Sequence, residues 1–139
     1  MKVLAFIFTA VICLSAGASL KFSDAIIYIP LKGASLTAGY AVITNDGDEN
    51  VTLSLKSVPG FKAVETHQTL EKDGRAAMRK VESFIVPARG RLKLIPGGNH
   101  IMLFDPLREF KLNELVDAEF IVNEKAQKIK MKIVARPIK

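Results

Sequence analysis

The hairpin that sets the fold class reads KAVETHQTLEKDGRAAMRKV and runs from residue 62 to residue 81. Residues 62–69 alternate apolar and polar side chains, as a half-buried β-strand does. Asp73-Gly74 is a dipeptide typical of tight hairpin turns, and the segment from Ala76 to Val81 can pair back on the first strand. This stretch therefore predicts an antiparallel β-hairpin.

The rest of the chain repeats this pattern of short strands separated by Gly, Pro, Asn and Asp. Strands are predicted at 25–29, 39–44, 51–56, 84–86, 91–95, 100–104, 118–122 and 128–135. Only Leu112 to Val116 suggests a short helical turn. We therefore predict an all-β domain of about eight or nine strands, built as a sandwich or a Greek-key barrel. Gly and Pro at these intervals argue against a helix bundle or a βαβ fold.

The N-terminus predicts export. Lys2 is followed by an apolar run to Leu14, interrupted by Thr9, and then by small residues. This is the pattern of a secretory signal peptide over residues 1–18, cut after Ala18, with one exported mature domain at 19–139. An uncleaved anchor and lipid attachment at Cys13 are alternatives, although Ile12 is bulky for a lipoprotein signal. No later run reaches the roughly 18 apolar residues of a membrane span.

Cysteine usage and charge exclude several classes of protein. Cys13 is the only cysteine, so a mature chain beginning at residue 19 has none. This excludes a disulfide framework, a thiolate zinc site, a cysteine nucleophile and a blue-copper centre. Loss of Lys2 leaves 19 basic residues against 14 acidic ones, a net charge of +5. Export and the scarcity of aromatic residues argue against nucleic-acid binding.

Histidine and methionine carry the most specific chemical signal. The chain has two histidines, His67 and His100, and His100 stands two residues before Met102. On a strand this spacing puts both side chains on one face, about 6.6 Å apart. His67 and Met78 flank the hairpin turn, so antiparallel pairing brings their strands together. By contrast, Met131 alternates with isoleucines and is expected to be core filler.

The donor types in this set indicate which metal they would bind. Imidazole and neutral thioether ligands suit Cu(I), whereas zinc, magnesium and calcium prefer harder or anionic ligands. A site without thiolates also resists oxidation outside the cytosol better than a cysteine site does. Because a histidine must be neutral to ligate, binding is expected to weaken in acid.

The spacing His67-x10-Met78-x21-His100-x-Met102 resembles the signature of the periplasmic copper chaperones called PCu(A)C. The segments 39–45 (GYAVITN), 64–67 (VETH), 78–81 (MRKV) and 96–103 (PGGNHIML) agree with it. The resemblance covers about Ala25 to Val134. It implies a cupredoxin-like β-sandwich that binds Cu(I) through those four side chains. It also implies copper delivery to the Cu(A) site of cytochrome c oxidase, alongside a Sco-type thiol protein.

Two departures from that family are visible in the sequence. Residues 111–114 read KLNE where relatives carry a Lys-Glu-Gly-Asp turn, and the chain ends ARPIK without a His/Met-rich tail. A second copper site is therefore not expected.

Three roles stay open at this level. They are copper delivery, copper buffering, and a metal-free interaction module that uses the ridge of Lys128, Lys130 and Lys132. An enzyme is not predicted, because no nucleophile-elbow pattern accompanies either histidine. Whether Glu65 or Asn99 orients the imidazoles is also left open.

Overall fold

The computed structural model describes residues 20–138, and within that range it contains ten β-strands and no helix. The strands are β1 (Leu20–Tyr28), β2 (Leu36–Asn45), β3 (Val51–Ser57), β4 (Phe61–Lys72), β5 (Arg75–Val81), β6 (Phe84–Val86), β7 (Gly90–Leu94), β8 (His100–Pro106), β9 (Leu115–Val122) and β10 (Lys125–Val134). The all-β prediction is confirmed; the domain was expected to have about eight or nine strands, and each of the ten segments named from the sequence is a strand. The three-residue β6 is a strand because it pairs with β3.

The strands form one continuous hydrogen-bonded path in the order β5-β4-β8-β2-β1-β10-β9-β3-β6, and β7 pairs with β2 beside this path. Neighbours are antiparallel except β1 and β10, which run parallel. Buried side chains of β2 and β8 belong to the same cluster as those of β3, β9 and β10. The two halves of the path therefore enclose one core, which is the sandwich that the sequence predicts.

Two local predictions differ from the structure. The helical turn expected at 112–116 is wrong, because Asn113 takes a left-handed backbone conformation (φ 66°) and β9 begins at Leu115. Strand β1 begins at Leu20, five residues earlier than expected. Its pairing with β2 shifts register between Ser23 and Ile26, and Asp24 has a φ of 50°. Such a bulge interrupts the alternation by which a strand is recognised in sequence.

The β4–β5 hairpin forms as predicted. Lys72 pairs with Arg75 across the turn, and Asp73 and Gly74 have φ values of 54° and 72°. Two consecutive positive φ values define the tight turn whose twist matches that of paired strands. The hairpin brings the strands of His67 and Met78 side by side.

Strand β10 alternates as expected. Met131 is fully buried in the core, and Lys128, Lys130 and Lys132 are exposed on the opposite face. The Lys130 ammonium donates to Asp117 on β9 at 2.9 Å. The lysine ridge therefore lies beside acidic side chains, as on an ordinary solvated strand face.

The predicted signal peptide, its cleavage after Ala18 and the alternative lipid site at Cys13 all lie outside the described residues. Between residues 20 and 138 there is no helix that is long and apolar enough to cross a membrane.

Candidate metal centre

A tight turn places His100 at the start of β8. Gly97 adopts a φ of 79°, which favours glycine because it has no Cβ. The Gly98 amide donates to the Ile95 carbonyl at 3.0 Å, and the Ile95 amide donates to the Asn99 carbonyl at 2.8 Å. The Pro-Gly-Gly segment therefore reverses the chain just before His100, as the sequence predicts.

The first four residues of β8 are buried, so this part of the strand is covered on both faces. Ile101 and Leu103 point into the sandwich core. His100 and Met102 lie on the other face, yet they expose only 5% and 7% of their surface. The i, i+2 pair therefore shares a face that is sheltered from water, where a nitrogen and a sulfur donor can approach one ion.

The register of β4 against β8 brings the second histidine to the same place. His67 lies directly opposite His100, and Glu65 lies directly opposite Met102. The two imidazole ring centroids are 5.6 Å apart. The structure therefore places His67, His100 and Met102 together, although they are separated by up to 35 positions in sequence.

Met78 occupies a different position at the rim of this cluster. In the β4–β5 hairpin, His67 pairs with Lys80 and Thr69 pairs with Met78. Residues two positions apart on a strand point to the same face, so Met78 lies on the same face of the sheet as His67. Such diagonal neighbours are about 7–8 Å apart, within reach of long side chains. Met78 is 62% exposed and lies on the end strand of the sheet. The fourth predicted ligand is therefore nearby but open to solvent.

His100 presents one particular nitrogen to the cluster. Its Nδ1 lies 2.9 Å from the Gly98 carbonyl oxygen. Because a carbonyl only accepts, Nδ1 carries the proton and donates. The lone pair of a neutral His100 is therefore on Nε2. Asn99, one of the two residues considered from sequence, is not the partner of His100.

His67 uses its nitrogens the other way round. Its Nε2 lies 2.7 Å from Glu65 Oε2, and its Nδ1 is buried without any hydrogen-bond partner. Across the described part of the chain, Nδ1 of His67 is the one buried side-chain nitrogen or oxygen in this condition. Leaving such an atom unpaired costs free energy. A bound cation would satisfy it.

Glu65 also contacts Lys80, whose Nζ donates to Glu65 Oε1 at 3.0 Å. The hydrogen bonds from His67 and then from Lys80 lower the pKa of Glu65 below its ordinary value. The carboxylate is therefore ionised at neutral pH and acts purely as an acceptor.

Tyr40 is a neighbour of the site that the sequence does not single out. Its ring centroid is 6.5 Å from that of His100 and 5.1 Å from that of Tyr28. Burial, and next the proximity of Tyr28, raise the pKa of Tyr40. Tyr40 follows Gly39, which pairs with Ile101 at the end of the β2–β8 ladder, so Tyr40 lies next to His100.

The donors available at the site are neutral. They are two imidazole lone pairs and the thioether of Met102, with the thioether of Met78 at the rim. No group of three or more His, Cys, Asp and Glu side chains arranged to hold a metal occurs among residues 20–138. Neutral imidazole and thioether donors suit a soft cation better than a hard one such as Mg²⁺ or Ca²⁺.

Solved structures share this fold. "Copper-bound PCuAC domain from PmoF2" superposes with a TM-score of 0.70 at 19% identity, covering 84% of this chain and 93% of that one. "Solution structure of CuI-DR1885 from Deinococcus Radiodurans" gives 0.68 at 24% identity, covering 87% and 83%. The protein therefore has the cupredoxin-like PCuAC fold.

Sequence comparison gives the family. "Putative lipoprotein Lxx21020" of Leifsonia xyli subsp. xyli is 30% identical over 77 residues, which are 55% of this chain and 46% of that protein. The matches to curated relatives span about half of the length of those proteins. The family model described as "Putative lipoprotein LpqE-like" matches residues 20–135, nearly all of the described chain. The chain belongs to the LpqE-like family.

Proposed function

We propose that this protein is an exported carrier of Cu(I), held by His67, His100 and Met102 with Met78 as the outer fourth ligand. The observation that carries the proposal is the convergence of the first three side chains around the unpaired, buried Nδ1 of His67. Two of the solved structures that share the fold are a copper-bound domain and a Cu(I) protein, which supports the proposal.

The oxidation state follows from the donors. Neutral thioether and imidazole ligands prefer Cu(I), whereas Cu(II) takes a tetragonal set of nitrogen and oxygen donors. Without an anionic ligand, the charge of the ion is not compensated by its donors. Protons compete for the same imidazole lone pairs, so binding weakens in acid. Moderate affinity and ready release suit a carrier better than a permanent cofactor site.

The unequal exposure of the two sulfurs suggests a route for transfer. Met102 is buried beside the histidines, whereas Met78 lies on the end strand with most of its side chain in water. A ligand from a recipient protein can displace Met78 first, while three donors still hold the ion. Transfer is ligand exchange without bond changes in a substrate, so the protein is not an enzyme.

The resemblance to the PCu(A)C chaperones implies a recipient, and we propose it here: the Cu(A) site of cytochrome c oxidase, with a Sco-type thiol protein as a further partner. Copper buffering uses the same ligands without a recipient and is the alternative. Loss of oxidase activity in a deletion strain at low copper supports delivery. Copper sensitivity with normal oxidase activity supports buffering.

Export also belongs to the proposal. Membership in a family whose description names a lipoprotein agrees with an exported protein. We propose cleavage after Ala18 and a periplasmic mature domain that starts at residue 19. The intact mass of the mature protein distinguishes this processing from lipid attachment at Cys13.

Anaerobic titration with Cu(I), followed by X-ray absorption, tests the site. We expect one ion per chain with both imidazole nitrogens and thioether sulfur among its neighbours. A copper environment without sulfur, or the absence of tight Cu(I) binding, would contradict the proposal. Titration with Zn²⁺ serves as the comparison, since the donors predict weak binding of that ion.

Replacing Met102 by Leu is expected to weaken Cu(I) binding about tenfold or more while the fold stays intact. Leucine approximates the size of methionine, and such swaps usually cost less than about 1.5 kcal/mol of stability. Competition with a Cu(I) chelator measures the affinity. Met131→Leu is the matched control, because it removes a buried sulfur that lies in the core. If Met102→Leu and Met131→Leu lose the same amount of Cu(I) affinity, Met102 is not a ligand.

Met78→Leu is expected to change transfer more than affinity. The exposed side chain adds one donor to three that remain, so equilibrium binding falls less than in Met102→Leu. Removing this outer ligand alters the exchange step with a thiol acceptor, which stopped-flow spectroscopy can follow. If Met78→Leu binds and releases Cu(I) as the parent does, Met78 is not a ligand.

A further inference from the structure

Glu65 connects the candidate ligands to the end strand of the sheet. Its side chain lies on the face shared by His67 and Met102 and is about one quarter exposed. One carboxylate oxygen accepts from His67 Nε2 at 2.7 Å, and the other accepts from Lys80 Nζ at 3.0 Å. Lys80 in turn stands directly opposite His67 in the β4–β5 ladder. The carboxylate is therefore held from two strands at once.

This contact determines which nitrogen of His67 can ligate. A neutral imidazole carries its proton on either nitrogen, and the hydrogen bond made by one nitrogen leaves the other with the lone pair. An ionised carboxylate only accepts, so its contact with Nε2 keeps the proton there. Nδ1 of His67 is then the free donor, and it is the buried nitrogen that lacks a partner.

His100 has the opposite arrangement, because the Gly98 carbonyl holds the proton on Nδ1. A backbone carbonyl fixes one imidazole and a side-chain carboxylate fixes the other. Only the second of these can be changed by a substitution that leaves the backbone untouched.

We propose that Glu65 is a positioning residue that keeps His67 in its Nε2-protonated form, so that His67 binds metal through Nδ1 while His100 binds through Nε2. In this proposal Glu65 acts through His67 and is not itself a ligand; its two oxygens accept from His67 and from Lys80. The consequence for metal binding rests on the proposed function, whereas the proton position in the metal-free protein does not.

Lys80 restricts what Glu65 can do. Its ammonium balances the carboxylate charge and keeps one oxygen turned toward β5. A free carboxylate beside the site would attract harder cations such as Zn²⁺. The pairing therefore leaves the ligand set neutral while still orienting the imidazole.

The first experiment is long-range ¹H–¹⁵N correlation spectroscopy on the full-length, metal-free protein at neutral pH. We expect His67 protonated on Nε2 and His100 protonated on Nδ1. In Glu65→Ala, His67 is expected to populate both forms while His100 is unchanged. A parent protein with His67 protonated on Nδ1, or a Glu65→Ala variant with unaltered His67 signals, would overturn the proposal.

The second experiment measures Cu(I) affinity. Loss of an outer partner of a ligating histidine typically costs 10–100-fold, and we expect Glu65→Ala to fall in that range. Glu65→Gln keeps an acceptor oxygen, so its loss of Cu(I) affinity is expected to be smaller. This variant replaces Glu65→Ala in the test if Glu65→Ala does not fold. Glu71→Ala on the same strand is the matched control, expected to bind as the parent does. Unchanged affinity in Glu65→Ala refutes positioning.

The two proposals fail in different ways. If the metal-free spectra show the expected proton positions but the parent does not bind Cu(I), the proposed function fails and the role of Glu65 in orienting His67 stands. If the parent binds Cu(I) and His67 is protonated on Nδ1, the proposed function stands and the role of Glu65 fails.

Discussion

Replacing His100 by Phe is expected to weaken Cu(I) binding more than 100-fold, the largest functional effect that we predict. His100 supplies one of only two nitrogen donors and lies in the sheltered centre of the site, 5% exposed. Losing an outer partner of a ligand already costs about 10–100-fold, and losing the ligand itself should cost more. Phenylalanine keeps a ring beside Tyr40 and His67 but offers no lone pair. Chelator competition under anaerobic conditions measures the change.

Tyr40→Phe is the control for this experiment. The substitution alters a ring neighbour of His100 without removing any donor atom, so Cu(I) affinity is expected to stay close to that of the parent. Circular dichroism checks that both variants are folded. A folded His100→Phe protein that retains the parent affinity would show that the copper ligands lie elsewhere.

Phe120→Ala is expected to lower the free energy of unfolding by about 3–5 kcal/mol, the range for removing a buried aromatic ring. Phe120 is 1% exposed on β9, and its ring centroid is 5.0 Å from that of Phe22. The loss combines the transfer free energy of the ring with the cavity left behind. Urea unfolding followed by circular dichroism gives the difference, and an unchanged slope with denaturant shows that only stability has changed.

Ile85→Ala provides the comparison, because Ile85 is an exposed apolar residue on β6. Exposed substitutions usually change stability by less than about 0.5 kcal/mol. Strand β9 lies in the half of the sheet path away from β4 and β8, so the folded fraction of Phe120→Ala should still bind Cu(I). If Phe120→Ala lowers the free energy of unfolding as little as Ile85→Ala does, Phe120 does not stabilise the core.

Local patterns in the sequence were sufficient to predict much of the fold. The alternation in 62–69 and the Asp73-Gly74 turn predict a hairpin that the structure contains, and alternation in β10 separates Met131 from the lysines. The prediction of secondary structure was wrong where the local pattern of apolar and polar residues was ambiguous. The start of β1 contains a bulge at Asp24, and the segment 112–116 is a turn at residues 112–113 followed by the start of β9 rather than a helical segment.

The candidate site was partly visible in the sequence for a chemical reason. The set of His67, Met78, His100 and Met102 stands out because soft neutral donors are scarce in this chain. The sequence also presented Glu65 and Asn99 as equal candidates for orienting the imidazoles. The structure separates them, since Glu65 contacts His67 and the Gly98 carbonyl contacts His100.

Side-chain alternation and turn chemistry are local, so the sequence alone determined most of the strands, the hairpin and the identities of the donor atoms. The tertiary structure decided which strands became neighbours and in what register. It placed His67 opposite His100, left Met78 at the exposed rim and left Nδ1 of His67 without a partner. These features depend on pairing between distant segments, and a one-residue shift of β4 against β8 would turn His67 to the other face of the sheet.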